Sequence, residues 1–547
     1  MDPMSTNEVS TRDRLHASQP SIENICKISG TPGISIGVTH HDRLVYSFNS
    51  GYSNVETGAC VDQDTVFHIA SMSKAFTGLA LGILVEEGLL RWKTPIRELI
   101  PDFKHFNKEV LENTNLVDLM AHRTGLSGKM NLVAQEHGRP SLPQSQTLPF
   151  VNSLHAACPF RSRWLYNNWG PAVAALVIER VSGMSWGTFL QERIFQPLGM
   201  TRTFTARHPI TNNVAEGYIA LADASVIRNE RPYFEDGQVL AGSVGVQSCV
   251  RDLLVFYQAL SRAYNDQAAD GTTSSAESPI KQLPFIFTPH MSLPDSEQMH
   301  EGYGIGLART QLPGRFGAMS PNGMFTDSAP VAGRGSNQTV WYHDGSLAGF
   351  LTSVHMLPES NSVIVVLTNS FANGDTADWV GPMLLECLID SPIKIDYGAL
   401  ATESARRCVQ AWIYLPELLR KGQKDGTSHR ELVEYTGRFF NSAANWFMEI
   451  YIACGTLHMC FQGDRSQSYA LQHYHDDVFS YPLTQLENAQ RGRFPVPDPG
   501  LFLLEFETGS ELIAVVGIRW RQDPDIPEGT ALLKSGASPP TLNLESR

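Results

Sequence analysis

Ser71 and Lys74 stand three residues apart in Ser71-Met-Ser-Lys74, a spacing that puts two side chains on one face of a helix within reach of each other. A serine hydroxyl is a poor nucleophile until a base removes its proton, and a lysine in apolar surroundings binds its own proton weakly enough to be that base. The tetrapeptide opens a stretch, Met72, Ala75, Phe76, Leu79, Ala80, Ile83 and Leu84, that is apolar nearly all round and is ended by Gly88. This pattern predicts a buried helix, with Ser71 in its first turn, where free backbone N–H groups can hold a developing oxyanion. The plainer alternative is an N-cap serine followed by a lysine whose stem runs out to solvent. Two other S-x-x-K sequences, Ser278-Pro-Ile-Lys281 and Ser391-Pro-Ile-Lys394, have proline directly after the serine and open no apolar helix.

Two further triplets carry usable chemistry. Tyr166-Asn167-Asn168 precedes a helical pattern; a tyrosine beside a lysine can relay protons, and an amide side chain such as Asn168 can orient a substrate carbonyl. An aromatic packing residue at a helix entry is the bland reading, and Tyr52-Ser53-Asn54 is a competing triplet. His343-Asp344-Gly345 follows the β-rich Thr339–Tyr342 and leads into Ser346; Gly345 would let substrate lie against the backbone, and the following N–H could complete an oxyanion hole. A lone histidine at a strand end is more often structural. Lys424-Asp-Gly426 and Lys534-Ser-Gly536 resemble a lysine form of this triplet without a preceding strand of the same domain. Gly183-Met-Ser-Trp-Gly187 matches a nucleophile elbow, but a helical pattern precedes it where a strand is needed. His473-Tyr-His475-Asp-Asp477 reads as a solvated strand end with no further ligand nearby.

The elements that must position these residues alternate in type. Gly33–Val38 and Arg43–Asn49 read as a hairpin at a sheet edge, Leu116–Ala121, Ala172–Val181, Trp186–Phe195 and Asp252–Ala259 as helices, and 264–300 and 313–338 as surface excursions. Gln338–Tyr342, Leu351–Met356 and Ser362–Leu367 return to strand composition, and Asp375–Leu388 reads as a helix packing on them. The fold class is therefore α+β, with a sheet closed by distant segments. After a helix at Ala401–Leu419 and a polar linker at 421–428, short alternating runs predict a small all-β barrel or sandwich. The expected division is a polar tail at 1–20, a catalytic domain at 21–395, helix and linker at 396–430, a β-barrel at 431–535 and a tail at 536–547, with few contacts crossing between the two domains.

Taken in order, the three triplets resemble the serine β-lactamase and penicillin-binding-protein superfamily, in its class C-like branch of esterases, D-aminopeptidases and lovastatin-type acyltransferases (peptidase family S12). Thr65-Val-Phe-His-Ile-Ala-Ser71, Leu116–Leu126, Ile194-Phe-Gln-Pro-Leu-Gly-Met200, Ala241-Gly-Ser-Val-Gly245 and Tyr303-Gly-Ile-Gly306 look like landmarks of that superfamily across residues 25–390. Tyr435-Thr-Gly-Arg-Phe439 is similar to the opening of the lipocalin-like β-domain that often follows. The resemblance implies a β-lactamase/transpeptidase-like fold, an antiparallel sheet flanked by helices with a helical subdomain. It makes Ser71 the acylated nucleophile, Lys74 and Tyr166 the proton-transfer pair, Asn168 a substrate-orienting amide, and the N–H groups of Ser71 and Ser346 the oxyanion hole. His343 stands where penicillin-recognising members have lysine, which favours ester, amide or acyl-transfer chemistry over β-lactam hydrolysis.

Composition narrows the partners. A net charge of −14 with no Lys/Arg-rich block argues against nucleic acid. Glu86, Glu87 and Gly88 interrupt the most apolar run, so no membrane span is expected, and the N-terminus, lacking the apolar core of a secretory signal, leads to a cytoplasmic expectation. The eight scattered cysteines read as reduced thiols without chemistry. The expectation is a serine hydrolase that forms an acyl-enzyme with a small-molecule or peptide ester, amide or thioester, without metal or cofactor. An acyltransferase of natural-product type and a non-catalytic scaffold of the same fold are the alternatives.

Overall fold

The computed structural model describes residues 6–128, 136–206, 212–275, 278–294, 301–509 and 514–536. Helices α1 (Thr6–Ala17) and α2 (Gln19–Ser29) lead into strands β1 (Gly33–His40), β2 (Arg43–Asn54) and β3 (Ala59–Cys60). Helices α3 (Ser73–Glu86), α4 (Trp169–Ser182) and α5 (Val250–Asp270) form most of the helical half. The chain then returns as β4 (Gly302–Tyr303), β5 (Ala308–Gln311), β6 (Thr339–Leu347), β7 (Phe350–Leu357) and β8 (Ser362–Thr368), followed by α6 (Thr376–Leu388) and α7 (Tyr397–Gly422). The strands make one eight-stranded antiparallel sheet in the order β3-β2-β1-β8-β7-β6-β5-β4. Its closure joins chain ends more than three hundred residues apart, with Ile34 opposite Thr368 and Val38 opposite Ile364.

The period-two alternation of the central strands explains why helices cover both faces. On β8, Val363, Val365 and Leu367 point into the core shared with α3 and α5, while Ile364 and Val366 point into the core shared with α1, α2 and α6. The segment expected to be a polar tail is helical from Thr6: Leu15 of α1, with Ile22 and Ile25 of α2, is fully buried against β1 and α6. The expected excursion at 264–300 begins only after α5 ends at Asp270, and that at 313–338 contains a two-stranded ribbon, Gly314–Arg315 with Val331–Ala332. Residues 276–277 and 295–300 of the first excursion, and 537–547 of the expected tail, lie outside the described residues.

Nine strands between Gly437 and Lys534 form the C-terminal sheet. Its two edge strands, Tyr469–Ala470 and Gln472–His475, follow one another in the chain, so the sheet is barrel-like and nearly closed. The expectation of few crossing contacts is overturned. Trp446 Nε1 donates to Ser141 Oγ at 3.1 Å, Tyr469 OH to Glu136 Oε1 at 2.7 Å and Gln485 Nε2 to Asn373 Oδ1 at 3.1 Å. Arg491 pairs with the same Glu136, and Ser127 Oγ donates to the buried Asp523 carboxylate. Polar groups buried at such a junction must be paired, and each domain supplies partners to the other. Among the described residues no helix is long and apolar enough to cross a membrane.

Candidate active site

Ser71 lies in a single 3₁₀ turn, Ala70–Met72, directly before α3, which begins at Ser73. The helix N-cap is Met72, with no side-chain cap, so Ser71 is not an N-cap serine. Ala70 has φ +50°, the left-handed region that costs a non-glycine residue about 1–2 kcal/mol, and the neighbouring chain holds it there. Ile69 N–H donates to Val246 O at 3.2 Å and Thr352 Oγ1 to Ile69 O at 3.1 Å. Gly345 on β6 completes this cradle: a Cβ there would lie 2.2 Å from Thr352 Oγ1 and 2.4 Å from Ile69 O. The missing side chain makes room for the turn that carries Ser71, rather than for substrate as the sequence suggested.

Lys74 is wholly buried, which excludes a lysine running out to solvent. Its Nζ is 3.0 Å from Ser71 Oγ, 2.7 Å from Asn168 Oδ1 and 3.1 Å from Ser243 O. Two of these partners can only accept, whereas the serine hydroxyl can also donate. A neutral amine therefore satisfies all three contacts, giving its two N–H bonds to the Asn168 and Ser243 oxygens and its lone pair to the Ser71 O–H. Burial pushes the Lys74 pKa well below its ordinary 10.5, in the direction of that neutral amine. The turn Ala241–Val244 that supplies Ser243 O is fixed to α3, since Thr77 Oγ1 donates to Gly242 O at 2.7 Å.

Tyr166 lies over this amine, with Lys74 Nζ 4.9 Å from the ring centroid. Burial raises the Tyr166 pKa, so the resting group is a phenol and not a phenolate. Its hydroxyl has no hydrogen bond of ordinary geometry among the described residues, yet it lies close enough to Ser71 for the serine hydroxyl to offset part of the burial effect. Asn168 is the residue from which α4 starts, while Asn167 Oδ1 accepts from Trp169 N–H at 2.7 Å and Asn167 Nδ2 donates to Leu126 O at 2.9 Å. The competing Tyr52 is half exposed on β2, where Ser53 Oγ donates to Ala59 O and Asn54 Oδ1 accepts from Thr57 N–H within the adjoining turn.

His343 is completely buried behind Tyr166, with ring centroids 6.3 Å apart. Tyr303 OH donates to its Nε2 at 2.8 Å, and its Nδ1–H donates to Asp344 O at 2.6 Å, so neither nitrogen is presented to a ligand in this structure. Burial holds its pKa down to about 3, which keeps it neutral. His122, which the sequence marked only as part of the Leu116–Leu126 landmark, packs at a tilt with its ring centroid 4.4 Å from that of Tyr166 and 4.8 Å from that of Tyr303. Asn167 N–H donates to His122 Nδ1 at 3.2 Å, which fixes the tautomer with the proton on Nε2. Tyr166 is thus held among aromatic rings with little freedom to turn.

Tyr166, Asn168 and Ser346 line one cavity of about 830 Å³. Lys74 links Ser71 to Asn168 on that lining, and the Ser346 hydroxyl has no partner among the described residues. The other sequence candidates lie elsewhere. Ser185 caps a short helix, accepting from Thr188 N–H and donating to Asp236; Lys424 pairs with Asp476, and Lys534 donates to Glu434 O. His473 and His475 bond to Asp476, and among the described residues no group of three His, Cys, Asp or Glu side chains could hold a metal ion.

With this fold and site in view, comparison with known proteins defines the class. The beta-lactamase family model matches residues 22–381, and the chain belongs to that family. Within it, the chain is 27% identical over 387 residues to unguisins hydrolase ungD of Aspergillus violaceofuscus, covering 68% of this chain and 63% of that protein. It is 25% identical over 288 residues to penicillin-binding protein 4* of Bacillus subtilis, covering 50% of this chain and 59% of that one. The matched region thus spans less than two thirds of the length of these curated relatives. The octameric penicillin-binding protein homologue from Pyrococcus abyssi shares the fold over 95% of this chain and 99% of its own, with TM-score 0.56 at 20% identity. The class C beta lactamase from Rhodobacter sphaeroides shares it over 73% and 99%, with TM-score 0.52 at 18% identity.

Proposed function

We propose that the protein is a serine hydrolase that acts on esters or amides through an acyl-enzyme on Ser71. The observation that carries this reading is the contact of Lys74 Nζ with Ser71 Oγ at 3.0 Å inside a fully buried pocket that favours the neutral amine. Ser71 Oγ attacks the substrate carbonyl carbon while its proton passes to Lys74, and the carbonyl π electrons move onto oxygen. The N–H groups of Ser71 and Ser346 receive that oxyanion. As the tetrahedral adduct collapses, the bond to the leaving group breaks and Tyr166 gives its proton to the departing oxygen or nitrogen, recovering one from Lys74. Water then repeats the sequence on the acyl-enzyme, releasing a carboxylic acid and restoring Ser71. Asn168, held by Lys74, orients the substrate, and His343, His122 and Tyr303 keep Tyr166 in place.

Water as acyl acceptor is supported by the hydrolase name of the 27% identical fungal relative. The test is labelling with a serine-directed fluorophosphonate. One adduct per chain on the Ser71 peptide, absent from a folded Ser71→Ala variant, is the expected result; an adduct that persists in that variant would defeat the assignment.

A further inference from the structure

The C-terminal domain supplies a wall of the cavity that contains Tyr166, Asn168 and Ser346. Phe494, Val496 and Leu501 face it from that domain, and Phe234, Met324 and Phe325 face it from the catalytic domain. The wall is built in place. Gly492 has φ +59° and sits so close to the catalytic domain that a Cβ would lie 2.0 Å from Asn229 Oδ1. Asn229 Nδ2 in turn donates at 3.0 Å to the carbonyl of Ala348, two residues from Ser346. Phe494 meets Phe371 edge to face with centroids 4.7 Å apart, and Arg491 is tied to Glu136. An apolar surface fixed in this way is presented without an ordering cost when substrate binds.

Charge is arranged against one group of ligands. The charged side chains among the described lining residues are Arg163, Asp498 and Asp525, and Arg163 is already 3.8 Å from Asp525. Asp498 remains, accepting from Gly500 N–H at 2.8 Å, so the cavity carries an excess of negative charge. His343, with both nitrogens occupied, adds no cation. A carboxylate brought into this cavity would lose its hydration without gaining a counter-ion.

We infer that the site takes substrates with a long or bulky apolar acyl group and no carboxylate on it, and that Phe494 and Val496 determine this specificity. The inference rests on the reading of Ser71 as the acylated nucleophile, but its test does not need acylation. In full-length Ser71→Ala protein, calorimetry should show octananilide binding at least tenfold more tightly than acetanilide and at least tenfold more tightly than suberanilic acid, its chain-matched analogue with a terminal carboxylate. Each buried methylene adds enough for such a gap across six of them. Phe494→Ala should reduce the octananilide-to-acetanilide ratio at least fivefold, and Val496→Trp, which fills the cavity instead of enlarging it, should do the same. In wild-type protein, kcat/KM for the corresponding p-nitrophenyl esters should follow the same order. Affinities for the three anilides within threefold of one another, tighter binding of suberanilic acid, or ratios unmoved by both wall variants would overturn the inference. Failure of the nucleophile reading would appear separately, as fluorophosphonate labelling away from Ser71.

Discussion

Lys74 Nζ donates to Asn168 Oδ1 at 2.7 Å, joining the helix that follows Ser71 to the start of α4, 94 positions further along the chain. In the neutral amine that burial favours, this bond takes one N–H, the Ser243 carbonyl takes the other, and the lone pair is left for the Ser71 hydroxyl. Replacing Asn168 by Ala removes an acceptor from a buried donor, at a cost of about 1–3 kcal/mol, and frees the amine to turn. Acylation in Asn168→Ala should fall by about ten- to a hundredfold with the protein still folded, as read by stopped-flow release of p-nitrophenolate and by circular dichroism.

Tyr166→Phe should slow acylation by about 10²–10⁴-fold, the usual contribution of a general acid or base, whereas Tyr52→Phe should leave it unchanged. The contrast follows from position: Tyr166 is buried over the amine and Tyr52 is half exposed on β2. Equal rates for the two variants would remove Tyr166 from the proton path.

The pH dependence of acylation should report Lys74. Burial lowers its pKa well below 10.5, so the neutral, reactive form appears as pH rises through that lowered value, and kcat/KM should climb and reach a plateau well before pH 10.5. Lys74→Arg cannot lose its proton in this range and should have no measurable acylation at any pH. A rate still rising steeply above pH 10 would mean that the lysine is charged at rest.

Asp344 gives a stability prediction of opposite form. Its carboxyl is fully buried between β6 and α6 with neither oxygen hydrogen-bonded among the described residues, and burial, with Asp378 and Asp375 beyond it, raises its pKa well above 3.8. The folded protein therefore binds this proton more tightly than the unfolded chain does. Its contribution is complete below about pH 4 and is lost as pH rises towards the folded value, at about 1.4 kcal/mol per pH unit. Asp344→Asn should flatten the decline in urea midpoint between pH 5 and 9; an unchanged decline would place the titration on Asp375 and Asp378 instead.

How much of this was legible in the sequence depends on the kind of group involved. Ser71, Lys74, Tyr166 and Asn168 could be singled out because side-chain type is what a sequence displays, and their expected roles came from the resemblance of the ordered triplets to a known superfamily rather than from any one triplet alone. The Ser243 carbonyl that completes the Lys74 environment is backbone, which leaves no mark on residue type. His122 and Tyr303 were visible only as letters inside landmarks, since the ring contacts around Tyr166 bring together three separate segments of the chain. Gly345 was assigned to substrate because a sequence shows that a side chain is missing but not which neighbour fills the space. α1 was read as a tail because its polar surface hides one fully buried leucine, Leu15. The wall at Phe494 and Val496 follows no motif, and the separation of the two domains was inferred from a polar linker that says nothing about how they dock.

The most direct test of the central claim is the mass of the protein quenched in acid within one turnover of p-nitrophenyl octanoate. One octanoyl group per chain should be added, mapped to the peptide containing Ser71 and lost on further incubation in water, with turnover in Ser71→Ala reduced by at least about 10⁴-fold. An octanoyl group on another residue, or Ser71→Ala turning over within tenfold of wild type, would contradict it.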